Sequence, residues 1–426
     1  MLVERLAGGL AGAVVVAGTN GKTTTSSWIG TALRAGRRRI LHNREGSNML
    51  RGLATTLARR STLTGRLIGK RGSMGLFEVD EAAIPSVLAQ VRPSVVVITN
   101  LFRDQLDRYS EIALIAAAWK APLAGLPDDS SLVLNADDPL VASLGRSRRG
   151  KVVYYGVDAW PGASNTEPRR SADSLYCPEC ATGLIFSELA YSHLGRYSCP
   201  GCGLQRPTPA VWARVHAEGS DGTTLTVGIG EMTFEVRLGI PGRYNVYNAV
   251  AAIAAATAAG VDPDTAVRAI EGAKGVFGRA ETIDVAGRAV RLYLVKNPTG
   301  ADEVLGVIAS GNKDGNLLTL LSDNAADGHD ISWIWDARFE LLADWTGGVS
   351  CSGTRAEDMA LRLKYAGLTT KAELVPNDIA EAVRAAVERT PRGGVLSIVA
   401  TYTAMLAARD VLSRGGHVEP YWRRAG

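Results

Sequence analysis

The stretch that most narrows the fold is an apolar run, Ala11 to Ala17, that passes straight into Gly18-Thr19-Asn20-Gly21-Lys22-Thr23-Thr24-Thr25. From Thr24 to Arg34 the sequence then reads as a helix. Strand, glycine turn and helix in that order are the setting of a phosphate-binding loop. The backbone N–H groups of such a turn converge on an anion, and the helix dipole favours its charge. Gly18, Thr19, Asn20, Gly21 and Thr24 are expected to form the cradle. Lys22 would reach the β and γ phosphates of a nucleotide, and the Thr23 hydroxyl would ligate Mg²⁺. The step from Gly18 to Gly21 is shorter than in the general pattern. A glycine turn of no consequence would not need a strand before it and GKTT after it.

Buried-strand candidates recur at 75–79, 94–99, 131–135 and 151–155, with helical segments between them at 81–90 and 111–123. Strands alternating with helices specify a parallel, doubly wound α/β sheet. The opening stretch, Met1 to Ala17, is read as a strand rather than an export signal, because cleavage there would destroy the loop. A Pro-, Gly- and Ser-rich segment at 158–170 leads into a cysteine-rich insert over 173–206. Strand alternation resumes at 211–215, 223–229 and 232–238, followed by an Ala-rich helix at 245–259 and another near 265–274. After Arg279-Ala280-Glu281 the pattern restarts with strands at 289–295 and 317–321. The expected organisation is a nucleotide-binding domain over 1–282, interrupted by the insert, and a second α/β domain over 283–426.

With 426 residues, 46% of them hydrophobic and 21% charged, the chain has the composition of a globular protein and not of a disordered one. No apolar run reaches the roughly 18–20 residues of a membrane span, so a cytosolic protein is expected. A net charge of +4, from scattered basic residues, leaves no stripe for nucleic acid.

Four of the five cysteines form two pairs, Cys177-Pro178-Glu179-Cys180 and Cys199-Pro200-Gly201-Cys202. Two such pairs, 18 residues apart, match a four-thiolate Zn²⁺ site, closed and therefore structural. The leftover Cys351, in Val349-Ser350-Cys351-Ser352-Gly353, loosely resembles a nucleophile elbow but lacks its first glycine and reads as structural. Acids end the strand at Glu78-Val79-Asp80-Glu81, where a parallel sheet presents its ligand crevice. Glu78 is the candidate second Mg²⁺ ligand, while Asp80 and Glu81 suit a helix N-terminus. The polar segment 99–109 and Asn135-Ala136-Asp137-Asp138-Pro139 also follow strands, and each reads equally as a site or a turn.

Taken together, the loop, Glu78, the 104–109 stretch, the NADDP segment, Gly242-Arg243-Tyr244-Asn245-Val246-Tyr247-Asn248-Ala249 and Gly278-Arg279-Ala280-Glu281 resemble the Mur ligase superfamily, the ATP-dependent amide-forming ligases of peptidoglycan assembly. The cysteine insert, Lys296-Asn297-Pro298-Thr299-Gly300, the stretch from Asp330 to Asp336 and Ser352-Gly353-Thr354-Arg355 point to the branch that acts as ligase subunit of a lipid II amidating enzyme. That resemblance implies ATP-dependent activation of the D-glutamate α-carboxyl in the lipid II stem peptide as an acyl phosphate. Attack by ammonia from a separate glutaminase subunit would leave D-isoglutamine, with the chain working at the inner face of the cell membrane.

The resemblance also assigns residues. Asp336 would complete the catalytic triad of the glutaminase, with Asp330 its rival; an acid that orients a histidine need only lie within hydrogen-bond reach. Asn245 would bond the adenine, Arg279 and Glu281 would close the central domain, and Lys296 and Asn297 would approach the phosphates. Gln105 stands where amino-acid-adding relatives carry a metal-binding histidine, and Lys120 where they carbamylate a lysine. The 17 residues before the loop are fewer than in those relatives. Two other readings remain open. One is an amino-acid-adding ligase of the folylpolyglutamate synthase kind. The other is a nucleic-acid-binding NTPase carrying a zinc ribbon.

Overall fold

The computed structural model describes residues 2–43, 48–62, 67, 72–103, 112–161, 173–219, 222–273, 279–311, 313–368 and 370–419. The chain divides into two compact units that meet in sequence at residues 274 and 275.

In the first unit, α1 (Leu2–Ala7) precedes β1 (Ala13–Ala17), which the phosphate loop joins to α2 (Lys22–Ala35). The chain continues through β2 (Arg39–His42), α3 (Leu50–Arg59), β3 (Ser73–Glu78), α4 (Ile84–Leu88), β4 (Val95–Ile98), α5 (Ile112–Ala124), β5 (Ser131–Asn135), α6 (Pro139–Ser143) and β6 (Val152–Ala159). The hairpin of β7 (Ile185–Tyr191) and β8 (Leu194–Ser198) follows. Then come β9 (Val211–Gly219), β10 (Gly222–Ile229), β11 (Met232–Leu238), α7 (Arg243–Ala258) and α8 (Pro263–Glu271).

Nine of these strands form one sheet in the order β11-β10-β9-β6-β5-β4-β1-β3-β2. From β2 to β9 all neighbours are parallel, and β10 runs antiparallel to both of its own. Every position of β1, β4 and β5 is buried. Strands covered on both faces need continuous apolar sequence, which is why Val14–Val16 and Val95–Val97 show no alternation. Helix α7 is buried along 245–256, so its alanines face neighbours all round rather than along one stripe.

Three local expectations change. The residues before Gly8 form α1, not the start of a strand: Val3 and Leu6, three apart, are buried in the core while Glu4 and Arg5 are exposed, the spacing of one helical face. β2 and α3 are additional elements. Both are short and carry arginines, and β2 is a sheet edge with no fully buried position.

The second unit contains β12 (Arg279–Asp284), β13 (Ala289–Leu294), α9 (Pro298–Ala309), β14 (Asn316–Leu320), β15 (Val349–Gly353), α10 (Ala356–Tyr365), β16 (Glu373–Pro376), α11 (Ile379–Arg389), β17 (Val395–Ala400) and α12 (Tyr402–Arg414). Its six-stranded sheet has the order β12-β13-β17-β14-β15-β16, parallel except for the β12–β13 pair. Glu281 on β12 is bonded by Arg409 of α12 through both carboxylate oxygens, at 3.1 and 3.2 Å, in a buried pair. The strand that contains Arg279, Ala280 and Glu281 lies in the second sheet.

Candidate functional site

The phosphate loop leaves the carboxyl end of β1. Gly18 has φ +128° and Gly21 φ +84°, backbone states that glycine adopts without strain. A side chain on Gly18 would strike Thr99 and Asn100 after β4, and one on Gly21 would strike the amide of Asn248 on α7. The glycines thus serve the packing of three elements as well as the turn. Thr19 Oγ1 donates to the Phe102 carbonyl and accepts from its N–H, both at 3.1 Å. The Asn20 N–H donates to Asn100 Oδ1 at 2.8 Å.

Lys22 Nζ is buried and donates to the Gly18 and Thr19 carbonyls at 2.5 and 3.3 Å, and to Glu81 Oε2 at 3.0 Å. Thr23 Oγ1 donates to Glu78 Oε1 at 3.0 Å, so the hydroxyl and carboxylate expected at Mg²⁺ are adjacent. Asn48 donates to the same carboxylate oxygen at 2.9 Å, and Asn43 holds the backbone of Glu78 from both sides. Thr24 Oγ1 and Asn48 Oδ1 are buried without a hydrogen-bond partner among the described residues. Hard oxygen donors, a buried ammonium and two orphaned polar atoms, that of Thr24 on the first turn of α2, fit a nucleotide with its divalent cation.

Asn245 lies on the first turn of α7, buried, with Nδ2 donating to the Pro241 carbonyl at 2.7 Å. Asn248 links it to Thr25. The 104–109 stretch, with Gln105, and the side chain of Arg279 lie outside the described residues. Lys120 sits on α5. In the second unit, Asn297 caps α9, its Oδ1 accepting from Gly300 N–H at 2.8 Å, directly after Lys296.

Cys177, Cys180, Cys199 and Cys202 converge, with all four Sγ atoms within 4.8 Å of one another. The two halves match. The Ala181 N–H donates to the Cys177 carbonyl and the Gly203 N–H to that of Cys199, with Ala181 and Gly203 both at positive φ. Four soft thiolates around one point suit tetrahedral zinc. The ribbon shares a small core with α6, through Phe186, Leu189, Tyr197 and Ala142.

At the closed end of the hairpin, Asp137 accepts from Arg206 Nε at 2.5 Å, Tyr247 Oη at 2.6 Å and the Val157 N–H at 2.9 Å. Burial pushes its carboxyl up, against the opposing pull of those three donors. The NADDP segment is thus an internal bracket rather than a surface turn. Cys351 is buried on β15 beside Thr319, and burial pushes its thiol up to about 11, the state of an inert cysteine.

Asp336 ends a short 3-10 turn, Ser332–Trp335, and is exposed. Asp330 accepts from the Ser332 N–H at 2.8 Å. Beside Asp336, Trp335 is 50% and Tyr365 71% exposed, their rings edge to face at 5.8 Å. Sequence reading missed Glu81 as the partner of Lys22 and Asn248 as the support of Gly21. Both carried a signal: Glu81 stands among the acids after β3, and Asn248 lies in the Gly242–Ala249 motif, where only Asn245 was given a role.

A phosphate-type loop at the carboxyl edge of a mostly parallel sheet, with a second α/β unit behind it in sequence, defines an α/β nucleotide-binding protein. Residues 16–179 match the Mur ligase middle domain and residues 294–405 the MurT ligase C-terminal family. The Streptococcus pneumoniae protein named lipid II isoglutaminyl synthase (glutamine-hydrolyzing) subunit MurT is 33% identical over 94% of this chain and 87% of its own. Its Staphylococcus aureus counterpart is 32% identical over 97% and 90%. A solved pseudomurein peptide ligase type C from Methanothermus fervidus shares the fold at a TM-score of 0.70 and 23% identity, covering 95% of this chain and 78% of that one. The chain belongs to the MurT family of Mur ligases.

Proposed function

We propose that this chain is the ligase subunit of a lipid II isoglutaminyl synthase, amidating lipid II in peptidoglycan synthesis. The observation that carries the reading is likeness to MurT proteins along nearly the whole chain, joined to a loop in which Lys22, Thr23 and Glu78 are already assembled. ATP is the co-substrate, and Mg²⁺ at Thr23 and Glu78 would supply charge neutralisation at the phosphates. Lys22 exchanges its bond to Glu81 for the β and γ phosphates, and the loop N–H groups orient them. Asn245, on the first turn of α7, would bond the adenine. The D-glutamate α-carboxyl takes the phosphoryl group, and ammonia displaces phosphate to leave the amide. Zn²⁺ in the Cys177, Cys180, Cys199 and Cys202 site is structural.

The nitrogen source is a glutaminase subunit, GatD, docked on the second unit, with lipid II presented at the inner face of the membrane. No helix among the described residues is long and apolar enough to cross a membrane. Asp336 supplies the acid of the partner's triad. Its exposed carboxylate, beside two exposed aromatic rings, supports it over Asp330, whose oxygen is occupied by its own turn.

The test is amidation of lipid II by the two-subunit complex, with glutamine or ammonium salt, for wild type and Asp336→Asn. Loss of only the glutamine-driven product is the expected result. Survival of both reactions would remove Asp336 from the triad, and a wild type that forms no isoglutamine from either source would sink the assignment.

A further inference from the structure

The ribbon is more than an ornament on the first unit. Its cysteines close the open end of the hairpin, and the closed end, Leu189 to Gly195, is buried except for Ser192. Six or seven residues of extended chain separate the two ends, roughly 20 Å. His193, at the tip, is fully buried, and neither ring nitrogen has a hydrogen bond among the described residues. Nε2 stops 3.4 Å from Asp138 Oδ2. Asp138 is already satisfied by the N–H groups of Leu101, Leu140 and Val141. What His193 does make is a ring contact with Phe102, centroids 4.8 Å apart, while Tyr191 stacks on the same ring at 6.0 Å.

Phe102 is the residue whose backbone both donates to and accepts from the Thr19 hydroxyl of the phosphate loop. The other side of the tip grips α7. Arg243 Nη1 donates to the Ala190 carbonyl at 2.5 Å, and Tyr191 meets Tyr247 edge to face at 5.6 Å. The same helix carries Asn245 and Asn248.

We infer that the closed end of the ribbon hairpin positions the nucleotide site, with His193 acting as a ring-shaped wedge that fixes Phe102 and, through Phe102, Thr19. His193 is a positioning residue and touches no reacting atom. Thiolate ligation at the open end then sets how firmly the wedge is held, so metal content and ATP affinity are linked through this hairpin. The inference rests on the nucleotide reading of the loop.

The experiment measures binding of a fluorescent ATP analogue to the full chain, and KM for ATP against kcat in the two-subunit complex. His193→Ala is expected to weaken analogue binding and raise KM about tenfold, with kcat at saturating ATP within about twofold. His193→Phe, which keeps the ring and gives up the unbonded nitrogens, restores wild-type binding. Phe102→Leu attacks the same contact from the other side, and His193→Ala with Phe102→Leu is no worse than the weaker single variant, because both remove one contact.

Removing the metal from wild type with a chelator lowers analogue affinity, and the same treatment leaves His193→Ala little changed. Should His193→Ala not fold, Phe102→Leu and the chelator series carry the test. Unchanged analogue affinity in a folded His193→Ala or Phe102→Leu protein, or additive effects in the pair, overturns the inference. A wild type that binds no analogue overturns the nucleotide reading itself, a different result from wild type and variant binding alike.

Discussion

The phosphate loop and the surface around Asp336 are opposites in construction. Around the loop, Lys22, Thr23 and Glu78 are each bonded to another side chain, and Lys22 and Glu78 are buried. Around Asp336, a carboxylate and two aromatic rings stand in solvent. A site for a small anionic ligand gains from donors fixed beforehand, since reorganisation at the moment of reaction costs rate. A site meant for another protein leaves its anchors open, because the partner supplies the burial.

The sharpest way to break this contrast is Lys22→Ala. It should cut kcat/KM about a thousandfold or more with glutamine and with ammonium alike, because on the proposed reading Lys22 supplies the charge at the transferring phosphate. If ammonium-driven turnover persists, the loop is not where the phosphoryl group is handled. Next is Trp335→Ala, expected to weaken association with the glutaminase about thirtyfold, roughly 2 kcal/mol, while ammonium-driven amidation continues. Sedimentation or calorimetric titration of the two subunits reads this directly, and an unaltered dissociation constant would move the partner elsewhere.

Glu81→Gln separates resting and working partners of Lys22. Taking the carboxylate from a buried ammonium should cost about 3 kcal/mol of stability, seen as a lower Tm. ATP should nonetheless bind a few-fold tighter, because it no longer displaces a carboxylate; weaker binding would make Glu81 part of the nucleotide site. The smallest effect belongs to Cys351→Ala, about 1 kcal/mol of stability and no change in rate, as befits a buried thiol acting as a small apolar group.

How much of this was legible before folding depended on whether the chemistry was contiguous. The loop and the four cysteines are short-range patterns, and residue type plus spacing specified both. The flat apolar strands were legible because burial on two faces leaves a continuous signal. β2 and α3 were not, being an edge strand without a fully buried position and a short helix with arginines at its end. β12 was hidden because its sequence, Arg-Ala-Glu-Thr-Ile-Asp, offers Ile283 as its only large apolar residue. The contacts of His193 with Asp138 and Phe102, and of Glu281 with Arg409, join residues far apart in sequence, and no local pattern encodes them.

β6 and β9 are parallel neighbours, and parallel neighbours require a crossover, usually a helix. Here the described part of the connection, across residues 160–210, holds the ribbon hairpin and no helix. Time of assembly is where this has its consequence. While the chain is being made, β1 to β6 can pair through short crossovers as they emerge. β9, β10 and β11 have to wait for a long loop to close, and a metal taken up early by the four cysteines would shorten that loop. The last third of the sheet is thus the part whose assembly the insert would time.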